Sequence, residues 1–278
     1  MRAVVIAANG RPQLADLPAP EPSLEVLACG LCGSDVEKLG HAPAGTVLGH
    51  EVVVRTATGG REALIHHRSC GTCTRCRAGH ESTCEQFAAA TIVPGGFAER
   101  VQVTDGVVIP DALDDARATM VEPLACVLRG VERVPRGRVL VVGNGFVGQL
   151  FGAVLARRGD DVFGVDIDPR RAGRAPDGPV DAAVVCAPGG LDTALDAVAP
   201  GGTVLVFADA GVLPADAVYR RELNVVGSRS ATPASMRAAA ALLPELDVPA
   251  PLVVPLDRFD EGLGLFLRRE ALKVVFVP

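Results

Sequence analysis

The chain has no tryptophan and a single tyrosine among its 278 residues. Few large rings are therefore at hand to line an apolar pocket, and a polar ligand is the better match. No block of basic residues interrupts a net charge of −6, which weighs against nucleic acid or an anionic membrane as partner. No apolar run reaches the ~20 residues that cross a bilayer. The N-terminal MRAVVIAANGRPQL lacks the apolar core of a signal peptide. A cytoplasmic protein with neither membrane nor nucleic-acid partner is expected. Neither an internal repeat nor a low-complexity linker is found.

What the chain does have is a folded-protein composition, 49% hydrophobic with 31 glycines and 21 prolines. The pattern changes near residue 135. Before it, short β-rich runs at 2–7, 52–55, 63–67, 97–103 and 107–109 alternate with Gly, Pro and Asp turns, which predicts a small, largely antiparallel β-domain. Residues 116–133 carry apolar side chains at helical spacing, closed by Pro135. From Arg138 strand and helix alternate. RVLVVG, DVFGVD, DAAVVCA, TVLVFAD and NVVGS read as buried strands of a parallel sheet, with a helix over 146–158. The stretch 168–179 is too short for a full crossover, so one helix or strand there is expected to be vestigial. The tail from about residue 229 offers an Ala-rich helix and two β-like runs, PLVVP and KVVFV, that return to the first domain.

Four of the eight cysteines, Cys70, Cys73, Cys76 and Cys84, crowd into one glycine-containing loop. Four thiolates at this spacing close a tetrahedral zinc shell and predict a structural site. Disulfides, unbound thiols and an iron–sulfur cluster are the alternatives. Elsewhere stand Cys32 in ACGLCGSD, His50 and Glu51 in GHE, and Glu122 in VEPLAC. Each alone is weak; together they form a sulfur, nitrogen and carboxylate set that binds zinc and leaves a position open for substrate. Cys29 as a ligand is an alternative. Asp35 is a candidate partner for the His50 ring N–H, and Ser34 a candidate proton acceptor.

Gly143, Asn144, Gly145, Phe146, Val147 and Gly148 follow the strand RVLVV and open a helix, a dinucleotide fingerprint in its proper context. Asp166, eighteen residues past Gly148, is placed to hold the adenosine ribose and favours NAD over NADP; Asp168 is its alternative. Arg170 and Arg171 lie close by and argue the other way unless they are solvated loop charges.

ACGLCGSD, GHE, the cysteine lobe, GGFAE, VEPLAC, VVGNGFVG and VDIDPRR, in this order, resemble the zinc-containing branch of the medium-chain dehydrogenase/reductase superfamily. The resemblance implies an α/β protein: a GroES-like β-rich catalytic domain (1–123 and 229–278, lobe 70–84) and a Rossmann doubly wound NAD-binding domain (124–228). It implies two zinc ions per chain. Cys32, His50 and Glu122 fall on catalytic-ligand positions, with Glu51, Glu122 or water as the fourth. Ser34 falls on the proton-relay position. Glu122, where a cysteine stands in other branches, points to the polyol, sugar and threonine dehydrogenases, hence to a small polar secondary alcohol or its ketone. A homodimer or homotetramer is implied as well. The chain is shorter than typical members, with trims at 40–49, 54–63 and after Asp168. It carries Glu37 where many relatives have a histidine, which leaves the onward proton path open; His41 is a candidate substitute, with a loop histidine of no catalytic duty as the alternative. His66, His67 and His80 match no motif and read as structural or exposed. The competing functions are a zinc-free quinone or enoyl reductase using NADPH, and a non-catalytic NAD-binding protein.

Overall fold

The computed structural model describes residues 1–87 and 91–278, and the chain divides into two compact units. The first comprises Met1–Pro123, Ala231–Glu245 and Pro249–Pro278. Its strands are β1 (Arg2–Ile6), β2 (Pro12–Asp16), β3 (Ser23–Gly30), β4 (Glu51–Arg55), β5 (Arg61–Leu64), β6 (Arg100–Gln102) and β7 (Gly106–Val108). The C-terminal return adds β13 (Leu252–Pro255) and β14 (Val274–Val277). Short helices α1 (Gly33–Lys38), α2 (Thr74–Arg77), α3 (Asp115–Ala118), α8 (Pro233–Leu242) and α9 (Phe259–Leu267) complete it.

The sheet runs β13-β14-β3-β4-β5-β7, with β6 also on β3 and a separate β1–β2 ladder. β3 is the hub, because alternate residues Leu24, Val26 and Ala28 are buried while both its edges are paired. β14 lies antiparallel to it, with Val275 opposite Gly30 and Phe276 opposite Cys29. The expected return of the tail is thus real. It sets Lys273, just before β14, beside the end of β3. The core centres on Phe97, Phe259 and Phe276, whose ring centroids lie 4.4 to 5.5 Å apart. Burying each such ring contributes about 1.5–3 kcal/mol.

The single helix expected over 116–133 is two. α3 ends at Ala118, and α4 (Val121–Val131) starts afresh. Pro123 is the cause. It has no N–H to give, and its ring would collide with the carbonyl of Thr119 in a continuous helix, so it is accommodated in the first turn of α4. The Thr119 hydroxyl closes the break by donating to the Ala116 carbonyl at 2.7 Å.

The second unit comprises Leu124–Ser230 and Leu246–Val248. It contains β8 (Arg138–Val142), α5 (Phe146–Arg158), β9 (Asp161–Val165), β10 (Val180–Val185), α6 (Leu191–Ala197), β11 (Val198–Val206), α7 (Ala215–Arg221) and β12 (Asn224–Gly227). The five strands are parallel in the order β12-β11-β10-β8-β9. Consecutive residues of β8 and β10 are buried on both faces, as a helix-covered parallel sheet requires. Between β9 and β10 the described residues form no strand or helix, so the crossover expected to be vestigial is gone. The returning chain instead caps the edge of β9: Gly164 and Gly173 approach, with N–H to carbonyl bonds at 3.0 Å from Gly164 to Arg174 and from Gly173 to Gly164.

Candidate active site and nucleotide cradle

Cys32 ends β3's exit and caps α1 with extended backbone angles of −106° and 152°. Asp35, three residues on, closes a capping box: its Oδ2 accepts the Cys32 N–H at 3.1 Å. Its Oδ1 accepts the Gly49 N–H and faces His50 Nδ1, both at 3.2 Å. One carboxylate, 1% exposed, therefore fixes the cysteine and the histidine together. Burial alone would raise the Asp35 carboxyl; the His50 charge and the hydrogen bonds from His50, Cys32 and Gly49 outweigh it and lower it. Likewise burial would lower His50, but Asp35 lifts it well above the usual histidine value. With Nδ1 on Asp35, Nε2 is left as the ligand atom. Gly49, at φ +96°, has no room for a side chain, since a Cβ would stand 2.8 Å from Cys29 Sγ and the Phe97 nitrogen.

Glu51 opens β4 directly after His50. Ligand atoms of Cys32, His50 and Glu51 lie within 4.8 Å of one another. That donor set fits zinc. Cys29 and Glu122 are not in this group. The Cys29 thiol is buried against Gly49 and Gly96, and burial pushes it well above the usual range. Glu122 sits in the first turn of α4, and its charge acts on Lys273. The Ser34 hydroxyl donates to Cys32 Sγ at 3.4 Å. Glu37 and His41 are exposed.

Two neighbours have no motif signal. Lys273, 2% exposed, donates to the Leu31 carbonyl at 3.0 Å and ion-pairs with Glu51. Burial would lower its ammonium; Glu51 outweighs that and raises it. A sequence signal existed, since Lys273 is the only charge adjoining the apolar run VVFV. The second is His66, whose ring centroid lies 4.8 Å from that of His50. Burial first, then His50 and His67, hold His66 down at about 3, a neutral ring.

The lobe cysteines Cys70, Cys73, Cys76 and Cys84 come together, with none of the eight in a disulfide. Sulfurs of Cys70 and Cys76 are 3.9 Å apart, Cys73 and Cys76 3.5 Å, and Cys73 and Cys84 4.0 Å. Zinc–sulfur bonds of ~2.3 Å put tetrahedral sulfurs about 3.8 Å apart, so the cage fits that ion. Backbone N–H groups of Cys73, Cys70 and Gln86 point at the sulfurs at 3.3 Å. Hydrogen bonds from Thr72 lower the Cys70 thiol to about 6, while burial and Cys73 push Cys76 to about 12. His80 is exposed on this lobe.

In the second unit, Gly143 turns at φ +90°, where a Cβ would strike Ala187. A Cβ on Gly148 would strike the Gly143 carbonyl, but one on Gly145 would meet nothing within 4 Å. The loop is tight on its protein side and open at the N-terminus of α5, which fits a pyrophosphate. Phe146 and Val147 form the first turn of α5. Asp166 Oδ2 accepts the Asn144 N–H at 2.7 Å, and its Oδ1 the Asp168 N–H at 2.8 Å. Each oxygen retains a lone pair for a ribose hydroxyl. Arg170 is paired with Asp168 at 2.8 Å and Arg171 with the same carboxylate at 3.6 Å.

A β-unit with a mixed ligand set and a thiolate cage, in one chain with a parallel sheet bearing a phosphate cradle, is the build of a metal- and nicotinamide-dependent oxidoreductase. Residues 20–113 match the alcohol dehydrogenase GroES-like domain. D-altritol 5-dehydrogenase of Agrobacterium fabrum is 30% identical over 329 aligned positions, covering 97% of this chain and 96% of the relative. Sorbitol dehydrogenase of Halalkalibacterium halodurans is 26% identical, covering 100% and 99%. Among solved structures, AibC superposes with a TM-score of 0.85 at 26% identity, covering 100% and 96%. A Sinorhizobium meliloti protein solved with NADP gives 0.83 at 26%, covering 100% and 99%. The chain belongs to the zinc-containing medium-chain dehydrogenase family, in its polyol dehydrogenase branch. An alignment of 329 positions for 278 residues also means that the altritol enzyme carries residues this chain lacks.

Proposed function

We propose that the protein interconverts a secondary alcohol of a small polyol and its ketone, with NAD as hydride carrier and two zinc ions per chain. Residues 1–123 with 229–278 carry the chemistry, and 124–228 the nucleotide. The observation that carries this is the single Asp35 carboxylate binding the Cys32 N–H and the His50 ring. The ligand atoms of Cys32, His50 and Glu51 converge within 4.8 Å beside it. When bound, zinc supplies Lewis acidity to the substrate hydroxyl and NAD supplies the hydride acceptor.

The chain's own residues do the rest. Cys32 and His50 hold the metal, with Glu51 or Glu122 or water completing its shell. Asp35 keeps the proton on His50 Nδ1 and so keeps Nε2 a donor of electrons. Ser34 Oγ, already at Cys32 Sγ, takes the substrate hydroxyl proton and passes it outward. Glu51 is kept beside the metal position by Lys273. Cys70, Cys73, Cys76 and Cys84 hold the second zinc, which folds the lobe. Gly143, Gly145, Phe146, Val147 and Gly148 receive the pyrophosphate, and Asp166 the ribose. Pairing of Arg170 and Arg171 with Asp168 supports NAD over NADP, because it occupies the cations that a 2′-phosphate needs.

The polar substrate is supported by the altritol and sorbitol enzymes among the relatives. We further propose a homodimer or homotetramer, with the exposed edge strand β12 as the contact, and a cytoplasmic home, where free thiols stay reduced. No described helix is long and apolar enough to cross a membrane. A panel of hexitols, pentitols and simple alcohols with NAD, monitored for NADH absorbance beside Cys32→Ser, tests the proposal. Turnover of a polyol by the wild type alone is expected; equal turnover by Cys32→Ser contradicts it.

A further inference from the structure

Asn144 stands between the first two glycines of the phosphate cradle and is held from three sides. Its N–H donates to Asp166 Oδ2 at 2.7 Å, and its carbonyl accepts the Gln149 amide at 3.2 Å. Its own side-chain amide donates to the Arg171 carbonyl at 2.5 Å. That last bond crosses from the cradle to the turn that follows β9. In a complete doubly wound sheet a third strand lies beside the second, on the adenosine half. Here β9 is the outermost of the five strands, so no strand braces the turn. Two things hold it instead. One is the pair of backbone bonds at 3.0 Å, from Gly164 to Arg174 and from Gly173 to Gly164. The other is the Asn144 amide, whose nitrogen stands 3.6 Å from the place of the Cβ that Gly164 lacks. Within the turn Asp168 carries both Arg170, at 2.8 Å, and Arg171, at 3.6 Å.

We infer that Asn144 is a positioning residue for cofactor choice: its side-chain amide holds the 166–171 turn closed, so that Asp166 faces the ribose and Asp168 keeps both arginines. This rests on the NAD-dependent function proposed above. When the amide is removed, the Arg171 backbone is released and its side chain moves with it. The Asp166 carboxylate then loses its fixed setting against the glycine loop, and the guanidinium groups become available to a 2′-phosphate. NADH loses a well-placed ribose partner. NADPH loses the same partner but gains a cation. The bond therefore acts on the ratio of the two cofactors, and not on the stability of the fold alone.

The test compares wild type, Asn144→Ala and Asn144→Gln in amide exchange and in dinucleotide binding. Without dinucleotide, exchange over residues 164–174 should be roughly three- to tenfold faster in Asn144→Ala, the effect of one such bond, while the amides of β8 keep their rates. Fluorescence titration should show NADH bound roughly three- to tenfold more weakly by Asn144→Ala, with NADPH changed by no more than about twofold. Asn144→Gln, which keeps an amide donor, should recover part of both effects. Unchanged exchange would mean that the bond braces nothing, and equal losses for the two dinucleotides would mean that Asn144 serves folding alone; either overturns the inference. A wild type that binds neither dinucleotide sinks the NAD reading and the inference with it. A wild type that binds NADH, with the same NADH/NADPH ratio in Asn144→Ala, sinks the inference alone.

Discussion

Lys273 and Glu51 stand 222 residues apart in sequence and form a buried ion pair, 2% and 1% exposed at their side chains. The pair joins the C-terminal return to the strand that follows His50. It exists because β14 lies beside β3, and because the Lys273 ammonium also finds the Leu31 carbonyl. Removing one partner of such a pair strands a buried charge, which costs more than the pair itself contributes. Lys273→Met is expected to lower stability by about 3 kcal/mol in urea unfolding. A change under about 0.5 kcal/mol would mean that water reaches Glu51.

Gly30 makes room for that pair. A Cβ there would strike Glu51 Oε2 and stand 3.1 Å from Lys273 Cε and Nζ. Gly30→Ala should therefore displace the Glu51 carboxylate and weaken metal at the Cys32–His50 group while the lobe keeps its own. Metal analysis after dialysis should find close to one zinc per chain. Full retention with unchanged activity would separate Glu51 from the site.

Arg158 clamps the end of α5. Its guanidinium donates to the carbonyls of Val131, Val134 and Pro135 at 2.8 to 3.1 Å, and to Asp160 at 2.6 Å. Burial would raise the Asp160 carboxyl, but Arg158 and the Gly137 N–H outweigh it and lower it. A carboxyl depressed on folding stabilises above its unfolded value, about 3.9 for aspartate, and that stability goes as pH falls through the folded value. Stability should drop below about pH 4, and Asp160→Asn should flatten that part of the profile. An unchanged acid limb would show that Asp160 carries none of it.

Asp166 grips the glycine loop through the Asn144 N–H and retains lone pairs for a ribose. Asp166→Gly should raise the KM for NAD roughly tenfold and shift preference towards NADP, because the repelling carboxylate is gone. An unchanged NAD/NADP ratio would remove its role in cofactor choice.

Much of this was legible in the sequence, for local reasons. Cys70–Cys84 and Gly143–Gly148 are short motifs whose geometry is set by neighbouring residues, and the strands of the parallel sheet are continuous apolar runs. The hub strand β3 escaped because PAPEP before it and ACGLCG after it argue locally for turns, although Leu24, Val26 and Ala28 alternate into the core. Pro123 and its clash with the Thr119 carbonyl are also local, and mark the helix break within 116–133. Lys273 and His66 were not readable from motifs. Their importance comes from β14 pairing with β3 and from the tilted contact of the His66 ring with His50, contacts that only the folded chain makes.

The central claim is a catalytic zinc distinct from the lobe zinc. Metal content per chain, measured on purified wild type and Cys32→Ser, tests it most directly. Two zinc ions in the wild type and one in Cys32→Ser, the survivor lost only when a lobe cysteine such as Cys73 is replaced, is the predicted result. A single zinc in both proteins, held by the lobe alone, would contradict it.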